Sequence, residues 1–281
     1  SSSFEAELKG VKLWSAEEPN LYRAVISVED AEGHLLEVIP QNIGFREFRM
    51  DGTIMKLNGK RIVFKGTNRH EFDCYSGRAA DPSEIEKDII VMKQHNIKHA
   101  LLALSELEHI YELCDRYGLY VIDETNLETH GSWMRNGKKD IIEDTLPNDH
   151  EEWQDIILDR AKSMFERDKN HAAILIWSCG NESCGGKDLY VMSEYFRQAD
   201  PTRLAHYENI FWDRRYNGTS DMESQMYPTV ASIKKFLAEH RDKPFICCEY
   251  THAMGNSIGG MHKYTDLTDE EPLYQGGFIW D

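Results

Sequence analysis

From about residue 53 onward, short apolar runs of this chain alternate with longer segments of helical periodicity. In one such segment Ile85 and Ile89 recur at the spacing that places two side chains on one helix face. Asp81 ahead of Pro82 predicts the N-cap of that helix. Eight apolar runs are predicted as strands, at 61–66, 99–104, 119–123, 173–178, 204–207, 222–226, 245–248 and 277–280.

Eight strands separated by helices predict an α/β fold, a (β/α)8 TIM barrel that we assign to residues 51–281. The structural rival is a doubly wound open sheet. That fold usually carries a Gly-rich phosphate turn after its first strand, and this chain has none there. The last predicted strand ends beside Asp281, so we expect a barrel truncated after strand eight.

The first fifty residues follow a different pattern. Residues 21–28 are β-rich and roughly alternating, Glu32-Gly33 supplies a turn, and residues 35–39 begin the next strand. Two or three strands cannot form a stable sandwich alone. We therefore interpret residues 1–50 as the C-terminal part of a β-sandwich domain whose beginning is missing, and we expect the chain to be a fragment of a longer one.

Composition excludes several classes of function. The formal net charge of −17 argues against a nucleic-acid partner, because phosphate binding needs a cationic face. No apolar run approaches the roughly 18 residues of a membrane span, and the N-terminus does not resemble a signal peptide. The six cysteines show no paired CxxC spacing, which favours reduced thiols in a cytoplasmic protein.

Two acids follow predicted strands at places that matter for chemistry. Glu182 follows strand four and Glu249 follows strand seven, so both are expected at the barrel mouth. Two carboxylates about 5–5.5 Å apart are what a retaining glycosidase needs, one to donate a proton and one to attack the anomeric carbon. From spacing alone, two unrelated surface glutamates are the simpler interpretation.

The local sequences change that balance. Residues 180–183, Gly-Asn-Glu-Ser, and the run from Cys248 to Ser257 closely resemble the acid/base and nucleophile motifs of family 2 glycoside hydrolases, the large bacterial β-galactosidases. Further stretches agree in the same order along nearly the whole chain, at 13–22, 68–71, 113–124, 126–131 and 275–281. The first of these resembles the linker-proximal strand of the family's immunoglobulin-like domain, to which residues 1–50 would belong.

The resemblance implies a role for each matching residue. Glu182 would be the general acid/base, Glu249 the nucleophile, and Tyr227 a hydrogen-bonding neighbour of the nucleophile. Asn181 would bind the sugar 2-hydroxyl, a contact that strengthens in the transition state. Three further positions match sugar-contacting residues, with packing as the alternative for each: His70, His252 and Trp280.

The resemblance also implies a cofactor and partners. Glu128, His130 and Glu182 match the family's active-site Mg²⁺ ligands, with an ordinary buried hydrogen-bonded pair as the alternative for the first two. The substrate would be a β-galactoside, cleaved through a galactosyl-enzyme intermediate. The full-length protein would form a homo-oligomer, as the family's β-galactosidases often do.

One segment departs from the family. After strand two the family reads Val-Arg-Thr-Ser-His-Tyr-Pro, whereas residues 100–109 contain no arginine, and no histidine before His109. An arginine beside a carboxylate lowers its pKa and fixes its rotamer. Without it we expect Glu249 to be misplaced or partly protonated. The alternative function is therefore a catalytically silent carbohydrate-binding fragment. A metal-dependent hydrolase built on Glu128 and His130 is disfavoured, because no further ligand cluster accompanies them.

Overall fold

The computed structural model describes residues 5–70, 72–103, 108–135, 138–139 and 143–280. Its strands are β1 (Tyr22–Glu29), β2 (Leu35–Ile43), β3 (Phe48–Asp51), β4 (Ile54–Leu57), β5 (Lys60–Arg61), β6 (Phe64–Arg69), β7 (His99–Ala103), β8 (Tyr120–Glu124), β9 (Met134–Arg135), β10 (Lys138–Lys139), β11 (Ile174–Ser178), β12 (Leu204–His206), β13 (Glu223–Met226), β14 (Phe245–Tyr250) and β15 (Tyr274–Ile279).

The helices alternate with the later strands. The α-helices are α1 (Pro82–Gln94), α2 (Glu108–Tyr117), α3 (His130–Trp133), α4 (Gln154–Asp168), α5 (Lys187–Ala199), α6 (Val230–Glu239) and α7 (Met261–Glu270). Short 3-10 helices cover Glu151–Trp153, Glu208–Trp212 and Arg214–Thr219, and the last two take the place of an α-helix after β12. No helix in the described part of the chain is long and apolar enough to cross a membrane.

Eight parallel strands form the barrel, in the order β12-β11-β8-β7-β6-β15-β14-β13. The seam between β12 and β13 is bridged by other contacts: Asp221 donates its backbone N–H to the Ala205 carbonyl at 2.9 Å, and His206 Nε2 lies 2.8 Å from Ser224 Oγ. The predicted (β/α)8 architecture is confirmed.

The barrel strands form because their residues are buried on both faces. Every residue of β8 and β11 is buried, which is why both read as nearly continuous apolar runs rather than as an alternating pattern. The helix predicted after Asp81 is also present. Asp81 Oδ1 accepts from the Ser83 N–H at 2.8 Å, and Ile85 and Ile89 face the core.

Several predicted strand boundaries were wrong: the strand predicted at 277–280 is observed at Tyr274–Ile279, others differ by one residue, and two differ in their pairing. The run at 61–66 is split, since Lys60–Arg61 pairs antiparallel with β4 whereas the barrel strand begins at Phe64. The strand predicted to end at residue 248 continues to Tyr250, because Glu249 pairs with Met226 and Tyr250 with Ile279 in the parallel ladders. Glu249 therefore lies inside β14 and not after it.

The N-terminal segment packs against the end of the barrel at which the strands begin. Trp14 is fully buried, its indole N–H donates to the Asp115 carbonyl at 2.9 Å, and its ring meets Tyr120 edge to face at 5.6 Å. Gln275 in β15 clamps the β3–β4–β5 sheet, accepting from Met55 N–H at 2.8 Å. This end of the barrel is therefore closed by residues that precede it in the chain.

The β1–β2 hairpin is different, because it projects apolar side chains into solvent. Val25 is 59% and Leu36 is 65% exposed, and the apolar side chains of both strands are largely uncovered. Two paired strands without a cover are marginal on their own.

We predict that Trp14→Ala lowers the free energy of unfolding by about 3–5 kcal/mol, because it leaves a cavity and an unpaired carbonyl between the N-terminal segment and the barrel. Equilibrium urea denaturation followed by circular dichroism measures this loss. Trp153→Ala is the matched control, since that side chain is 39% exposed. Equal losses in the two variants would contradict a structural role for the Trp14 contact.

Candidate active site

One pocket opens at the carboxyl-terminal edge of the barrel. Parallel strands end at the same edge, so side chains that are far apart in sequence meet there. Its lining consists of Asn68, His70, Glu124, Asn181, His206, Glu208, Met226, Cys248, Glu249 and Trp280. The pocket thus gathers four of the residues predicted from sequence, His70, Asn181, Glu249 and Trp280.

Glu249 lies in this pocket with an unusual protonation equilibrium. The pKa of its carboxyl group is raised to about 7, mainly by burial; a hydrogen bond with Tyr227 lowers it, and the charges of Glu182 and Glu128 raise it. At this pKa the carboxyl group is divided between its two protonation states near neutral pH.

Tyr227 is held against Glu249 by both its backbone and its side chain. Its N–H donates to the Glu249 carbonyl at 2.8 Å, and its backbone is in the left-handed region with φ of 52°. Burial, followed by the hydrogen bond and charge of Glu249, raises the pKa of the Tyr227 hydroxyl. The phenol accordingly stays protonated and can donate to the carboxylate, while 44% of the residue remains exposed at the pocket rim.

Glu182 is fixed by its main chain. It also has a left-handed backbone, with φ of 45°. Its N–H donates to Glu208 Oε1 at 2.6 Å, and its carbonyl accepts from Trp133 Nε1 at 2.9 Å. Two residues earlier, Gly180 has φ of 134°, and a Cβ there would lie 2.6 Å from the Leu127 carbonyl oxygen. Only glycine fits this approach, so the loop that presents Glu182 is rigidly defined.

The predicted metal ligands are brought together in part. His130 Nδ1 lies 3.8 Å from Glu182 Oε2 and is buried without a hydrogen-bond partner. Glu128 instead accepts from Asn181 Nδ2 at 2.9 Å. Glu128 is exposed, which contradicts the alternative of an ordinary buried Glu128–His130 pair.

Spacing distinguishes these donors from a complete metal site. Among the described residues, only Asp30, Glu32 and His34 form a group whose ligand atoms all lie within 4.8 Å of one another. Two donors of the predicted set, His130 and Glu182, are close enough to share an ion. Glu128 would have to rotate away from Asn181 to join them.

Aromatic rings form part of the pocket lining, which includes His70 and Trp280. The rings of His252 and Trp280 stack at 4.5 Å with an interplanar angle of 22°, and His70 meets Trp280 at 6.3 Å. Tyr227 approaches His252 at 6.2 Å, which links these rings to Glu249. The Ala253 N–H donates to the Trp280 carbonyl at 2.8 Å and so joins the two segments. His70, His252 and Trp280 therefore form one cluster, as expected of a shared binding surface.

Four buried polar residues of the pocket were not among the predicted site residues: Asn68, Glu124, His206 and Glu208. Burial raises the pKa of Glu124 to about 8, and burial raises that of Glu208 well above its usual value. Burial also lowers the pKa of His206 to about 3, and this neutral ring bridges Ser178 and Ser224. A signal for Glu208 was available, since it comes two residues after β12, as other site residues follow their strands.

The comparisons with known proteins agree with this geometry. Residues 48–281 match the TIM barrel domain of glycosyl hydrolases family 2, and residues 1–46 match another segment of the same family. The chain belongs to glycosyl hydrolase family 2.

Family 2 relatives are named β-galactosidases. This chain is 55% identical over 272 residues to a β-galactosidase of Halalkalibacterium halodurans, covering 96% of this chain and 26% of the relative. It is 51% identical over 278 residues to one of Clostridium acetobutylicum, covering 98% and 30%. The chain thus spans less than a third of the length of these relatives.

Solved structures support the family 2 fold at much lower identity. A Bacteroides uniformis β-glucuronidase matches with a TM-score of 0.77 and 19% identity, covering 96% of this chain and 36% of that one. A Dictyoglomus thermophilum β-D-glucuronidase matches with a TM-score of 0.78 and 20% identity, covering 98% and 53%. The sequence predicted that residues 100–109 lack the family's arginine and histidine. Residues 104–107 of that segment lie outside the residues that the structure describes.

We predict that Tyr227→Phe raises the pKa of Glu249 above its present value of about 7, because the hydrogen bond that stabilises the carboxylate is lost. A ¹³C NMR titration of side-chain-labelled glutamate measures it, with the Glu249 signal assigned by its absence in Glu249→Gln. Tyr264→Phe is the control, since its hydroxyl donates to the Pro228 carbonyl instead. An unchanged titration in Tyr227→Phe would remove the proposed contact.

Proposed function

We propose that the protein containing this chain is a retaining β-galactosidase in which Glu249 is the nucleophile and Glu182 the general acid/base. The observation that carries this proposal is the pairing of Glu249 with Tyr227 at the pocket, within reach of the Glu182 charge. Relatives about half identical over nearly the whole chain are named β-galactosidases, which supports the choice of sugar.

The first step would form a covalent sugar ester. An ionised Glu249 oxygen attacks the anomeric carbon while Glu182 gives its proton to the glycosidic oxygen, so the C–O bond breaks and the aglycone leaves as an alcohol. In the second step Glu182 takes a proton from water, the resulting hydroxide attacks the anomeric carbon, and Glu249 is released as a carboxylate. The two inversions retain the anomeric configuration.

Tyr227 supports this cycle because the attacking carboxyl group must be ionised. Burial and two neighbouring acids raise the pKa of Glu249 and the phenol hydrogen bond lowers it, which together give a pKa of about 7. The nucleophilic fraction therefore grows as the pH rises through about 7. Galactosylation removes the charge of Glu249, which relieves the unfavourable burial of a carboxylate.

The pocket chemistry favours a neutral sugar over a uronic acid. Its described lining contains Glu124, Glu208 and Glu249 and no lysine or arginine. The carboxylate of a glucuronide would find no lysine or arginine to pair with in this lining, whereas sugar hydroxyls can hydrogen-bond to these carboxyl groups. This distinguishes the proposed galactoside substrate from those named for the glucuronidase structures.

The remaining predicted residues are assigned to substrate binding. We propose that Asn181 contacts the sugar 2-hydroxyl, and that its link to Glu128 orients the amide. The cluster of His70, His252 and Trp280 would stack against an apolar face of the sugar ring, with the imidazoles available to hydroxyl groups.

We further propose a Mg²⁺ ion held by Glu128, His130 and Glu182. The unpartnered His130 Nδ1, 3.8 Å from Glu182 Oε2, supports it, and Glu128 would leave its hydrogen bond with Asn181 to join them. Such an ion would supply positive charge beside the acid/base carboxylate. The chain's own contribution is to hold Glu182 at the pocket by its backbone.

Residues 1–50 are proposed to be the end of an immunoglobulin-like β-domain, and residues 51–281 the catalytic barrel. The uncovered apolar residues of β1 and β2 support the first assignment, because a sandwich strand pair normally packs on a second sheet. Homo-oligomer formation by the full-length protein belongs to the same proposal, by likeness to the family.

Mechanism-based trapping tests the nucleophile. We predict that 2-deoxy-2-fluoro-galactosyl fluoride leaves a stable adduct on Glu249, because the 2-fluorine slows both steps and the good fluoride leaving group restores only the rate of adduct formation. Intact mass and peptide mapping locate the adduct, and Glu249→Gln is the control. The corresponding 2-fluoro-glucuronyl fluoride should label poorly. Failure of a folded protein to label would favour the silent carbohydrate-binding fragment.

Metal removal tests the cation site. We predict that EDTA lowers activity, that Mg²⁺ restores it, and that Glu128→Gln weakens Mg²⁺ binding in isothermal titration calorimetry by about 10-fold or more. Asp30→Asn is the matched control, since it alters the other acidic group with a histidine and leaves the pocket untouched. Equal Mg²⁺ affinity in wild type and Glu128→Gln would assign Glu128 to orientation of Asn181 alone.

A further inference from the structure

Two successive residues after β12, Tyr207 and Glu208, hydrogen-bond to the loop that contains Glu182. Glu208 Oε1 accepts from the Glu182 N–H at 2.6 Å. The neighbouring Tyr207 hydroxyl donates to the Ser183 carbonyl. Tyr207 and Glu208 are fully or nearly fully buried, so neither hydrogen bond is readily replaced by one to water. The loop is therefore held from inside the barrel and not only through its own sequence.

These contacts matter because the backbone of Glu182 is strained. A non-glycine residue with φ near 45° occupies the sparsely populated left-handed region and persists only where its surroundings hold it. The Glu208 contact satisfies the N–H in that conformation, and Trp133 satisfies the carbonyl on the other side. Loss of the Glu208 acceptor would leave the N–H unpaired at a partly buried position and allow the peptide to turn.

We propose that Glu208 is a positioning residue, which directs the Glu182 carboxyl group at the glycosidic oxygen by holding the Glu182 backbone in its left-handed conformation. This inference rests on the proposed function. Glu208 transfers no proton to substrate in this scheme. It governs how well Glu182 donates its proton as the aglycone leaves, and how well Glu182 removes one from the attacking water.

The test is the dependence of the rate on the leaving group. A well-placed acid matters for a poor leaving group and little for a dinitrophenolate, which departs without protonation. In the full chain, we expect Glu208→Leu to lower kcat/KM for an alkyl galactoside by about 10–100-fold, since small displacements of a catalytic group have effects of this size. For 2,4-dinitrophenyl galactoside we expect a change of less than about 3-fold.

Three further variants make the result specific. Glu208→Gln keeps an acceptor oxygen, so it should recover most of the loss seen in Glu208→Leu. Glu182→Gln gives the leaving-group pattern of a missing acid, which Glu208→Leu should share in weaker form, including acceleration of dinitrophenyl galactoside turnover by azide. Glu223→Gln is the control for loss of a different buried carboxylate, one that pairs with Arg214 at 2.9 Å. It should show no preference between the two substrates.

The possible results distinguish the positioning role of Glu208 from the proposed galactosidase function. An inactive wild-type protein would overturn the proposed function. An active wild type, with Glu208→Leu losing the same factor on both galactosides, would leave the function standing and reduce Glu208 to a structural residue. If Glu208→Leu fails to fold by circular dichroism, Glu208→Gln and Glu208→Asn decide. Asparagine is one carbon shorter, so it should reproduce the leaving-group dependence, and identical loss on both substrates would contradict positioning.

Discussion

Burial of carboxyl groups at one end of the barrel is the constraint on which the site depends. Glu124, Glu208 and Glu249 share the floor of a pocket whose described lining contains no cation. An ionised carboxylate in such surroundings is costly, so burial raises the pKa of each group and protons remain bound. The remaining charge is spread by hydrogen bonds from Tyr227 to Glu249 and from Ser178 to Glu124.

Backbone strain is found in the segments that follow three of the barrel strands. Among the described residues, Glu182, Tyr227 and Thr251 have left-handed backbones although none is glycine, and they come after β11, β13 and β14. Strain of this kind is usually kept where a side chain must point in a direction that regular structure does not allow. Here one buried acid supplies part of the compensation, since the Glu208 carboxyl group accepts from the Glu182 N–H, whereas the Tyr227 N–H donates to the backbone carbonyl of Glu249. The hydrogen bond of Glu208 therefore links a buried carboxyl group to a strained backbone.

Rigidity at the pocket also relies on the opposite end of the barrel. Trp14, Gln275 and the β3–β4–β5 sheet close that end with buried hydrogen bonds to strands and loops of the barrel. Arg46 adds contacts from its guanidinium to the carbonyls of Ala172 and Ile174, at the start of β11. Since β11 leads directly into the Glu182 loop, the N-terminal segment contacts the strand that precedes the proposed acid/base.

The sequence by itself determined the (β/α)8 barrel and supplied the motifs on which the proposed roles of Glu182 and Glu249 rest. Strands buried on both faces leave apolar runs, and the motifs around Glu182 and Glu249 are local, so both kinds of signal lie in neighbouring residues. Only the tertiary structure decided that β14 extends through Glu249, that Glu128 contacts Asn181, and that Glu208 holds Glu182. Each of these depends on pairing between segments 20 or more residues apart, and no local pattern encodes the distance at which such groups meet once the barrel closes.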